Sequence, residues 1–186
     1  MARPRSEVAR AKMLDAAVDL LKERGVPGFT IDEVARRSGV AKTTIYRHFP
    51  TKNELLVAGL DQLTPVPVTP DSGSLRDDLL IFLESVLPIF ADRAIRAVFF
   101  DVWSAATRDP ELDHLQRMMM AGRAAPTAAI INRAKERGEI ADDLDYLAVV
   151  EIIEGPFIVR SLTRPHTLTD IDLEPLVDRM LLQLKP

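Results

Sequence analysis

Apolar residues recur at three- and four-residue spacing along almost the whole chain, and no segment sustains the two-residue alternation of a half-buried strand. Leu14, Ala17, Val18 and Leu21 mark a first helix over about 8–24. Gly25 stands where a helix end favours a left-handed residue. Thr30 and Glu33 then have the S/T-x-x-E spacing of a capping box, with Phe29 and Val34 placed to staple across it. This second helix stops at Ser38, before Gly39, and a third begins near Ala41. Thr51 repeats the start signal, with Glu54 expected to reach back, and opens a fourth helix to about Leu63.

The run "LTPVPVTPDSGS" over 63–74 has no period and reads as a connector. Beyond it the pattern predicts helices over about 74–90, where Pro88 ends or bends the helix, and over 95–106. Asp109-Pro110 starts another, with a break near 122–126 and a stop at Gly138. Two last helices are expected over 145–162, kinked at Gly155-Pro156, and over 172–184. The fold class is all-α. The connector divides the chain into a small domain, 1–62, and a larger one, 63–186.

Charge sharpens that division. The net charge is −4, yet residues 1–60 carry +4 and residues 61–186 carry −8. A basic front on an acidic body is expected when only the front meets phosphate. There is no cysteine, which excludes disulfides, thiolate metal sites and a cysteine nucleophile. The N-terminus has no apolar run ahead of its first charges, and no stretch nears the roughly 20 apolar residues of a membrane span. A cytoplasmic protein without membrane contact is expected.

The third helix is unusual in having little to bury. At 100° per residue, Ala41 and Ile45 face inward, while Lys42, Thr43, Tyr46 and Arg47 form one outward face. Phe49 returns to the core. Cations, hydroxyls and one aromatic can reach phosphate oxygens and base edges. The short turn before this helix has helix-turn-helix spacing. Periodicity alone leaves a solvated helix equally open.

The stretch "FTIDEVARRSGVAKTTIYRHFPTKNELLVAGL" strongly resembles the DNA-binding region of tetracycline-repressor-type (TetR family) bacterial regulators. The similarity runs from about Ala9 to Leu60. The resemblance implies a double-stranded operator DNA partner, a homodimer and a small-molecule effector bound by the C-terminal helices. It implies that Thr30 approaches a phosphate and that Lys42, Thr43 and Thr44 enter the groove. Tyr46 and His48 would be a phosphate-contacting pair and Lys52 a further phosphate clamp, while the angle of Arg47 aims it either at the groove edge or at solvent. Arg3, Arg5 and Arg10 would form a basic arm.

In the larger part, Phe82, Val86, Phe99, Trp103, Met118 and Ile158 are expected to line an apolar effector pocket, with Asp101 as a polar anchor. Core is the plainer reading for any one of them. Ile153, Phe157, Val177, Met180, Leu181 and Leu184 give the last two helices enough apolar surface for a dimer contact. Catalysis has little support. The three histidines lie in different segments without metal-ligand spacing, and Asp109, Glu111, Asp113 and His114 read as a charged first turn. No cofactor, metal or catalytic residue is expected. The alternatives are a helical protein-interaction module that does not bind DNA and a small helical enzyme.

Overall fold

A computed structural model describes residues 5–64 and 66–184, and among these residues there are ten α-helices, one 3-10 turn and no strand. The helices are α1 (Arg5–Arg24), α2 (Ile31–Ser38), α3 (Lys42–His48), α4 (Lys52–Leu63), α5 (Leu75–Ala91), α6 (Arg93–Ala106), α7 (Pro110–Arg123), α8 (Ala125–Glu136), α9 (Tyr146–Thr163) and α10 (Glu174–Leu184).

The starts are set by side-chain caps. Thr30, Thr51 and Ser74 each accept the backbone N–H three residues on, and Asp145 accepts from Leu147 and Ala148. Neither predicted capping box closes, however. Glu33 turns its carboxylate to Arg36 and Arg37, and Glu54 makes no bond back to Thr51 among the described residues. Arginine donors are stronger partners for a carboxylate than one more backbone N–H. Pro88 and Pro156 both lie inside their helices, α5 and α9, and end neither.

Two compact units emerge, each built from two stretches of chain. The first takes the described residues up to 64 together with 94–120, and the second takes 66–93 with 121–184. The connector is thus a boundary, but one the chain crosses again: Val98, Val102 and Ala106 of α6 and Leu112 of α7 share a buried cluster with α1–α4.

The second unit has its own core, in which Leu79, Leu83, Ile130, Ile153 and Val177 are fully or almost fully buried. The connector is pinned to it. Buried Asp78 accepts from the Ser72 backbone N–H at 2.7 Å and from its hydroxyl at 2.8 Å. Arg133 donates to the Pro70 carbonyl.

Candidate nucleic-acid interface

The interface is built on one turn. Gly39 adopts φ 68°, in the left-handed region, and its N–H closes α2 on the Ala35 carbonyl. Val40 N–H then bonds the Ser38 hydroxyl at 3.2 Å, and α3 begins two residues later. Ile45 is the one residue of α3 wholly inside the core, and Phe49 follows it in. Ala41, expected inward, is exposed: it is the N-cap, and it contributes its carbonyl to Thr44 and Ile45.

The outward face is as expected. Lys42, Thr43, Tyr46 and Arg47 are exposed, while Thr44 and His48 are half-buried. The His48 Nε2 lies 3.5 Å from the Ser6 hydroxyl. Thr30 and Lys52, at the starts of α2 and α4, are exposed as well. Arg10 belongs to α1 rather than to an arm, with its guanidinium 5.5 Å from the centre of the Phe49 ring. Arg3 and the side chain of Arg5 lie outside the described residues.

Behind this face, charges fix α2 against α1. Glu33 receives two bonds from Arg36, at 2.9 and 2.6 Å, and one from Arg37 at 3.1 Å. Arg37 reaches on to Glu23 of α1 at 2.6 Å. The arginine hydrogen bonds hold the Glu33 carboxyl down at about 2. A carboxylate with a depressed pKa stabilises the fold above its unfolded value and loses that contribution as pH falls through the folded one. The melting temperature should therefore decline between about pH 4.5 and pH 2, and Glu33→Gln should lower it at pH 6 and flatten that decline. An unchanged pH profile in the variant would exclude this role.

Sequence reasoning missed Asn53. It is buried, and its amide donates to Asp109 at 2.9 Å and to Glu111 at 2.8 Å, tying the first turn of α4 to that of α7. The Asn53 bond, with backbone N–H groups of α7, lowers the Asp109 carboxyl. Flanked by Lys52 and Glu54, it reads in the sequence as one more polar residue of a helix start, and no local signal sets it apart. Among the described residues no cluster of His, Cys, Asp or Glu has the geometry of a metal site.

The residues expected to line a pocket divide between the units. Phe82 and Val86 are buried in the second core, and Ile158 is half-buried on α9. Phe99 and Trp103 stack edge-to-face on α6 with ring centres 5.6 Å apart, and Met118 is exposed on α7. The Asp101 carboxylate lies where a side chain on Gly25 would have to go. The helix end at Gly25 needs both the left-handed φ of 63° and that space.

The expected dimer residues need a larger correction. Ile153, Phe157, Val177, Met180 and Leu184 are all in the second core, and only Leu181 is half-buried. A side chain enclosed by its own chain cannot also cover a partner. The exposed apolar residues of α9 and α10 are instead Leu147 (63%), Val159 (58%), Leu162 (60%) and Leu182 (68%).

Comparison with known proteins agrees with this architecture. A family described as "Bacterial regulatory proteins, tetR family" matches residues 13–58, and "Tetracyclin repressor-like, C-terminal domain" matches residues 69–180. The chain belongs to the TetR family. An uncharacterized HTH-type transcriptional regulator of Mycobacterium tuberculosis is 33% identical over 92% of this chain and 85% of its own. The DNA-binding transcriptional repressor TetR of Mycobacteroides abscessus is 31% identical over 97% of this chain and 95% of its own.

Among solved structures, the TetR family transcription regulator SCO0332 superposes with a TM-score of 0.73 at 29% identity, covering 96% of this chain and 99% of that one. The regulator FadR of Bacillus subtilis, solved with stearoyl-CoA, has the same fold at 19% identity and a TM-score of 0.70, covering 93% of this chain and 96% of that one. As a TetR family member the protein is a DNA-binding transcriptional regulator rather than an enzyme. Among the described residues no helix is long and apolar enough to cross a membrane.

Proposed function

We propose that the protein is a cytoplasmic homodimeric repressor that holds operator DNA through α3 and is released by a small, mostly apolar effector bound by its C-terminal helices. The observation that carries the DNA half is the α3 face: four exposed donors, one of them aromatic, on a helix anchored by a single buried isoleucine. Two copies of α3 would read half-sites about one helical turn apart. Lys42, Thr43 and Thr44 lead into the groove. Thr30, Tyr46, Arg47, His48 and Lys52 hold the flanking backbone. An effector acts only through its different affinity for the DNA-competent and released states.

The dimer is supported by the outer face of α9. Leu147, Glu151, Gly155, Val159 and Leu162 fall within an arc of about 120°, opposite the buried side. A groove of about 650 Å³ runs beside Gly155, Pro156 and Val159 toward Met180 and Gln183 of α10. Next to it a hollow of about 460 Å³ is lined by Arg160, Arg179, Asp170 and Asp172, charges of both signs. Charges of both signs on one surface are what an isologous contact, in which the same patch meets its own copy, can pair.

The experiment is operator binding against salt, with two arms. Lys52→Ala should weaken every duplex alike and lower the salt slope by about one, since it removes one phosphate contact. An organic extract of producing cells should release the operator from the unmodified protein. An unchanged slope in Lys52→Ala rejects the docking, and an inert extract counts against the apolar effector.

A further inference from the structure

The first turn of α2 carries two carboxylates with different fates. Glu33 is taken by Arg24, Arg36 and Arg37. Asp32 is left to the outside, where its Oδ1 holds the Lys42 ammonium at 2.5 Å. Among the described residues Asp32 is the only carboxylate that pairs with a side chain of α3. Both partners are exposed, so the pair adds little to stability. It sits instead on the face that carries Thr43, Tyr46 and Arg47.

An anion beside a surface meant for phosphate opposes binding unless it directs something. A lysine ammonium has three donors. Held by one carboxylate oxygen, it can still give its other protons to a purine N7 or O6 in the major groove. Reaching a phosphate is different. That move either breaks the pair or brings a second anion against Asp32, whose charge then repels it. The restraint therefore falls more heavily on backbone contacts, which are the whole of non-specific binding.

We propose that Asp32 is a specificity-determining residue: by holding Lys42 it steers the ammonium off the phosphate backbone and toward a base edge. This rests on reading α3 as the groove-entering helix.

The test uses the full chain and two duplexes. One is an operator that the unmodified protein selects from a random oligonucleotide pool. The other is a fixed random-sequence duplex of equal length. Affinity and salt slope are measured for the unmodified protein, Asp32→Asn, Asp32→Ser, Lys42→Ala and the Asp32→Asn/Lys42→Ala double variant.

Loss of the carboxylate should tighten random-duplex binding by roughly 3–10-fold at low salt and steepen that slope by about one. Operator binding should change less, so the ratio between the two falls. In the Lys42→Ala background the gain should vanish, because Asp32 acts through Lys42. Three results overturn the proposal: no change in either duplex, an equal gain in both, or a gain that survives without Lys42. A protein that binds neither duplex would overturn the reading of α3 itself.

Discussion

Ile45→Ala should destabilise the first unit by about 2–5 kcal/mol, the usual range for truncating a buried isoleucine to alanine. It should also weaken operator binding, although no DNA-facing atom is removed. The reason is the thinness of the attachment. α3 has seven residues, and Ile45 is the only one of them wholly buried. The buried attachment that orients the α3 backbone, and with it Thr43 and Tyr46, is that side chain and the Phe49 ring beyond it. A domain is typically stable by only about 5–15 kcal/mol, so the loss would be visible directly in a thermal melt. Lys52→Ala is the control, since its side chain is exposed and its loss should affect binding without affecting the melt. An Ile45→Ala protein that melts and binds like the unmodified one would mean that α3 is oriented by something other than its buried side.

Val159→Asp and Leu162→Asp should each yield folded monomers that bind the operator about 10²–10⁴-fold more weakly, the range by which linking two sites exceeds one alone. Both side chains are more than half exposed within the chain, so a carboxylate there meets water unless a partner subunit covers it. Ile153→Asp, one face away, should unfold the second unit, because that side chain is fully buried. Sedimentation at micromolar concentration separates these outcomes. If the unmodified protein already sediments as a monomer, the dimer proposal fails outright.

These two expectations also mark what was legible beforehand. Helix starts and stops were, because Thr30, Thr51, Ser74 and Asp145 cap within three residues, and Gly25 and Gly39 end helices by their own φ. The α3 face was legible for the same reason: a helical wheel is local. What failed was non-local. α9 is apolar on two sides, and periodicity does not say which side meets its own core: Ile153 and Phe157 are buried in it, while Val159 and Leu162 are exposed. Glu33 has the spacing of a capping partner, but arginines within reach outcompeted the backbone. The Asn53 amide meets carboxylates 56 and 58 residues away, a distance over which a motif carries no information. The closeness of Asp101 to Gly25, 76 residues earlier, is likewise invisible to local spacing.

That the first unit includes residues 94–120 bears on how the protein is made. The ribosome releases α1–α4 first, with the flank that α6 and α7 will cover still open. At about 5–20 residues per second, the following 55 or so residues take on the order of 3–10 s to appear. Through that interval Met13, Leu21 and Leu56, all fully buried in the finished protein, belong to a half-closed nascent core. A fragment cut at the connector would stay permanently in that condition. It should be prone to chaperone capture and aggregation, so the DNA-reading helices are best produced as part of the full chain.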